Sequence, residues 1–125
     1  MEFIYPPSTP RPVGHYSPAA VHNGFVFVSG QISTDAAGKP VLDSIEEQTI
    51  RCLEKIKVIL TASNSSLDRV LKVNIFIAQM DDWPRVNKAF AEFFGAHRPA
   101  RIIVPSGLLH YGCGVEIDCV AAVNS

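Results

Sequence analysis

Cysteine is scarce in this chain: Cys52, Cys113 and Cys119 are the only three, and their odd number and spacing match no disulfide framework, zinc site or CxxC pair. They read as reduced thiols. An excess of one charge is also missing, because 11 Lys and Arg against 12 Asp and Glu leave a net charge of −1. With no cationic field to hold a polyphosphate backbone, nucleic acid is a poor partner. No run approaches the roughly 18 apolar residues of a membrane span. The opening MEFIYPPSTPRPVG lacks the basic start and apolar segment of a secretory signal. A cytoplasmic location without membrane contact is the expectation. The four histidines show neither HExxH spacing nor cysteine partners, and the GxSxG, P-loop and GxGxxG signatures do not occur. The simplest routes to a zinc enzyme, a serine hydrolase, a nucleoside triphosphatase or a dinucleotide enzyme are thereby closed, and no metal is expected.

The chain does have enough apolar material for one core. Its 125 residues, 47% of them hydrophobic, fit a single domain over 1–125. Pro6, Pro7, Pro10, Pro12 and Pro18 remove backbone donors early on, which predicts an irregular but ordered arm. GFVFVSGQIS then reads as a strand over Phe25–Ser29, a break at Gly30 and a second short extended piece.

From Ser44 the period changes. Ile45, Cys52, Ile56, Ile59 and Leu60 recur at helical spacing, and Ser44 with Glu47 forms a candidate capping box. VLKVNIFIA alternates, with Leu71, Val73, Ile75 and Ile77 on one face and Lys72 and Asn74 on the other. A second helix follows in MDDWPRVNKAFAEFFG, with Asp81 or Asp82 as cap, Pro84 in the first turn, a Val86, Phe90 and Phe93 stripe, and Gly95 as its end. Two strands close the chain, Arg101–Val104 and Gly114–Val123. In the last, Val115, Ile117, Cys119, Ala121 and Val123 share a face, whereas Glu116 and Asp118 take the other. The order ββ-α-β-α-ββ predicts an α+β layer, a mixed sheet with both helices on one face.

Arg101 poses the chemical question. A guanidinium stays charged and offers a flat fork of donors, so its position at the mouth of the apolar run RIIV calls for an anion. Glu116, on the other terminal strand, is expected at a neighbouring position of the same sheet. The two could form a plain ion pair, or Arg101 could hold a substrate carboxylate while Glu116 activates water. Tyr16 could close a pocket or simply pack, and Ser29 and Gly30 could line a small ligand site or merely end a strand.

Taken together, VGHYSPA, FVFVSGQIS, VNKAFAEFF, RPAR and VEIDCVA resemble, in order and spacing, the RidA family, also called YjgF or endoribonuclease L-PSP. The resemblance covers nearly the whole chain. It implies a fold like that of bacillary chorismate mutase, assembled as a homotrimer with ligand clefts between subunits. It also implies hydrolysis of reactive 2-enamino and 2-imino acids to 2-keto acids and ammonia, as in 2-iminobutanoate/2-iminopropanoate deaminases, without metal or organic cofactor. By position, Arg101 matches the arginine that grips the substrate carboxylate, Glu116 the acid that orients water and Tyr16 the cleft tyrosine. Ser29 and Gly30 match the turn lining the pocket; Asn87 and Phe93 match a structural motif of the second helix. Ile103 stands where many of these deaminases have a cysteine, leaving its backbone groups for the substrate, and His15 stands where proline is usual. Alternatives are a non-catalytic trimer that binds small carboxylates or acts as a chaperone, and the ribonuclease of the older family name, for which no Lys/Arg-rich aromatic track exists.

Overall fold

A two-residue turn, Asn23-Gly24, organises the amino-terminal third. Both residues have positive φ, 52° and 82°, as a tight hairpin turn matching the right-handed strand twist requires. The computed structural model, which describes residues 1–125, therefore pairs β2 (Ala19–His22) with β3 (Phe25–Ile32), and β2 with a short first strand, β1 (Glu2–Ile4). The proline arm is thus not wholly irregular: both its ends enter the sheet. Nor do the residues around Gly30 form two strands. β3 runs through them as one strand, with a register shift against its partner between Val28 and Gln31.

The remaining elements are α1 (Ile45–Ala62), β4 (Val70–Ile77), α2 (Trp83–Phe94), β5 (Ala100–Pro105) and β6 (Val115–Ala122). One six-stranded sheet has the order β1-β2-β3-β6-β4-β5, antiparallel except for the β4–β5 pair. α1 starts where the Ser44 hydroxyl accepts the Glu47 N–H, at 3.2 Å, and packs on β3, β6 and α2. α2 ends at Gly95, whose φ of 64° suits a residue without Cβ.

Both helices cover one face of the sheet. Ile45, Cys52, Leu53, Ile56, Ile59 and Leu60 of α1 meet Val73, Ile75 and Ile77 of β4 and Val115, Ile117, Cys119 and Ala121 of β6 in one buried cluster. Leu71 does not join it. A register shift between Val70 and Lys72 puts Val70 in the core and leaves Leu71 exposed.

The other face has no covering layer. Phe3, Phe25 and Phe27 stand exposed there, as does Ile102, and between them Asn74 Nδ2 donates to Asp118 Oδ1 at 2.8 Å. The alternation in β4 and β6 is therefore the boundary between a filled layer and an open one.

Candidate active site

Arg101 lies on β5, the strand at one edge of the sheet, in register with Val73. Because register partners share a face, its side chain rises on the helix-covered side, and its guanidinium carbon sits 4.9 Å from the Phe90 ring centre and 5.8 Å from that of Trp83. No carboxylate pairs with it: the ion pairs of the chain are Arg51–Asp43, Arg85–Glu46 and Arg85–Asp82. Partial burial alone acts on its proton, weakening its hold relative to an ordinary arginine, with no anion to offset that effect. Ile103, two residues on, shares this side and packs against the core. The result is a half-buried cation seated on two aromatic rings with its donors free.

Glu116 is placed otherwise. Its neighbours Val115 and Ile117 are buried under the helices, and Glu116 opposes Phe76 and Ile32 on the uncovered face. Strand β4 separates β5 from β6, and Arg101 aligns through Val73 with Cys119, three positions from Glu116. The expected neighbouring pair is thus not present within one chain. The two residues occupy different strands that do not touch and opposite faces of the sheet.

Of the anticipated residues, Gly30 lies directly beneath Glu116, and Ser29, Tyr16 and His15 line a concavity next to it in the chain. A Cβ on Gly30 would collide with the Glu116 carboxylate and lie 3.0 Å from its Cδ, so the missing side chain is what lets the acid fold over β3. Ser29, next in the chain, uses both its donors to fasten the arm: its N–H donates to Pro18 O at 2.9 Å and its hydroxyl to Ser17 O at 2.7 Å. To a ligand it therefore offers an acceptor. Tyr16 lies half-exposed with its ring against Gly14, where a Cβ would come within 2.8 Å of the ring. Ser29, Tyr16 and His15 line a concavity of about 570 Å³ along the arm.

Trp83 escaped sequence reasoning as a site residue. The signal was its seven-residue spacing from Phe90, which sets both rings on one helix face beneath the edge strand. All three thiols are buried, and burial pushes Cys52 and Cys119 up to about 12 and raises Cys113 as well, which disfavours the thiolate at each. Asn87 and Phe93 lie on α2, where Phe93 packs edge-on against Phe94.

Known proteins align with the chain throughout. Residues 7–123 match the family model for endoribonuclease L-PSP. A RutC family protein of Pyrococcus horikoshii is 38% identical over 96% of both chains. The 3-aminoacrylate deaminase RutC of Acinetobacter baylyi is 37% identical over 98% of both. Among solved structures, yeast Mmf1 superposes with a TM-score of 0.93 at 36% identity, each chain covered to 98%. E. coli TdcF, crystallised with bound serine, gives 0.91 at 26% identity, covering 99% of this chain and all of the other. No helix of the chain is long and apolar enough to cross a membrane.

Proposed function

Since the chain belongs to the endoribonuclease L-PSP family, also known as RidA or YjgF, we propose that it is a metal-independent deaminase that hydrolyses 2-imino and 2-enamino acids to 2-keto acids and ammonia. Relatives named 3-aminoacrylate deaminase and reactive intermediate deaminase support deamination of reactive intermediates in general. The 2-imino acid as substrate follows from the family resemblance, and this chain's own residues add the means to hold its carboxylate. The observation that carries the reading is the unpaired Arg101 guanidinium, seated on Phe90 and Trp83 with nothing of its own chain to bind.

Because Arg101 and Glu116 face opposite ways in one chain, a site that uses both is built from two copies. The homotrimer implied by the family supplies this arrangement, and the uncovered face with Phe27 and Ile102 gives it apolar surface to bury. Arg101 of one subunit then holds the substrate carboxylate in a two-pronged contact, while Glu116, Gly30, Ser29 and Tyr16 of the next surround the imine carbon. Glu116 accepts a proton from water as the water oxygen bonds to C2, and the C=N electron pair moves to nitrogen. The proton passes to that nitrogen to give a carbinolamine, whose hydroxyl proton is then carried by Glu116 to the amine nitrogen as C2=O forms and the C–N bond breaks to release ammonia. An imine carbon is already electrophilic, so positioning and proton transfer suffice. Three buried thiols suit a reducing compartment, and we place the protein in the cytoplasm.

The test generates 2-iminopropanoate and 2-iminobutanoate in place with an amino-acid oxidase and follows their decay. The wild-type protein accelerates it, and Arg101→Ala returns it to the uncatalysed rate while the oligomer persists in sedimentation. Undiminished hydrolysis by Arg101→Ala would overturn the assignment.

A further inference from the structure

The concavity beside Ser29 contains a second cation that the hydrolysis itself does not need. Its lining is Phe3, Tyr5, Arg11, Pro12, Gly14, His15, Tyr16, Ser17 and Ser29, which includes no acidic residue. Arg11 sits over Tyr5, its guanidinium carbon 3.9 Å from the ring centre, and takes part in none of the ion pairs of the chain.

An exposed arginine stacked on tyrosine is ordinary by itself. The backbone around this one is not. Arg11 stands between Pro10 and Pro12, so one ring fixes the torsion before it and the other confines its own backbone to extended conformations. Thr9 N–H donates to Pro6 O, and Tyr16 N–H to Gly14 O at 3.0 Å, so turns brace the arm on both sides of it. The serine bonds of β3 hold its far end. The guanidinium is therefore presented on a stiff support, and less conformational freedom is lost when an anion binds.

Position supplies the rest. Ser29 lines this concavity and directly precedes Gly30, which lies beneath the Glu116 carboxylate in β3, so the side chain of a substrate reacting beside Glu116 has this space to enter. The geometry points to a second anion subsite: Arg11 takes a carboxylate at the far end of the substrate side chain, so that the preferred substrates are dicarboxylic 2-imino acids. This rests on the deaminase reading above, and it deepens that reading by naming the substrate class. His15 and Tyr16, two further residues with polar groups, line the same concavity.

Calorimetric binding of two product-like ligands to the intact oligomer tests it. 2-Oxoglutarate carries the second carboxylate and 2-oxobutanoate lacks it. Wild-type protein is expected to bind the dicarboxylate about tenfold more tightly, equivalent to about 1.4 kcal/mol. Arg11→Gln is expected to abolish that ratio, and Arg11→Lys to keep most of it, a pattern that a merely structural role would not produce. Equal affinities in the wild type, or an undiminished ratio in Arg11→Gln, would overturn the subsite while leaving the deaminase standing. Failure to bind either ligand, together with no acceleration of imine decay, would overturn both.

Discussion

The two faces of the sheet are built from the same strands and have opposite fates. On the helix side every second residue of β4 and β6 is buried against α1 or α2, and the layer is complete within one chain. On the other side the alternate residues are Phe27, Val120, Glu116, Asp118, Asn74 and Ile102, a mixture of apolar and polar groups with nothing above them. The covered face accounts for stability, as close-packed cores do. In the proposed assembly the uncovered one is where a second copy and a substrate find their contacts, while Arg101 and Ile103 of β5 rise on the covered side. One period-2 pattern therefore encodes a packed core on one face and an uncovered, mixed surface on the other.

Substitutions on the two faces should separate these roles. The largest effect is expected from Glu116→Gln, which keeps the shape but removes the proton acceptor: imine hydrolysis should fall by about 10²–10⁴-fold, measured as kcat, with the melting temperature nearly unchanged. On the covered face Ile75→Ala should do the reverse. Truncating this fully buried side chain should cost about 2–5 kcal/mol in denaturant unfolding while the KM of the folded protein stays the same. Gly30→Ala lies between the two, because its methyl group would push the Glu116 carboxylate off β3. Its activity should drop further than its stability, and an alanine variant of full activity would show that the carboxylate need not rest there.

The smallest effect is expected away from both faces. Arg51 grips Asp43 with bonds of 3.0 and 2.8 Å and holds its carboxyl below the usual 3.8. A carboxyl whose folded pKa is depressed stabilises the fold above the unfolded value and loses that contribution as pH falls through the folded one. Asp43→Asn should therefore be slightly less stable near neutrality and show a flatter loss of stability below about pH 4.

Helical and strand periods made the covered face legible from the residues alone, because burial imposes one rule on all of them. Ile45, Cys52, Ile56, Ile59 and Leu60, with Val115, Ile117, Cys119 and Ala121, obey it, while Val58 is exposed and Gln48 and Thr49 are buried beside them. Leu71 broke it: a register shift in a strand leaves no mark in hydrophobicity. The amino-terminal hairpin was readable in Asn23-Gly24, but the prolines nearby masked it. The candidate site is read from residue types and a family pattern, neither of which carries its geometry. Separating Arg101 from Glu116 depends on β4 lying between two strands that come later in the chain, and nothing local in either strand specifies that order.

Subunit mixing tests most directly whether Arg101 and Glu116 act from different chains. Arg101→Ala and Glu116→Gln, each inactive alone, are unfolded together in equal amounts and refolded as mixed oligomers. In a cyclic trimer with one residue from each neighbour, about a quarter of the sites regain both groups, so imine hydrolysis should return to about a quarter of the wild-type rate. A mixture as inactive as either variant, with mixed oligomers demonstrated, would contradict the account.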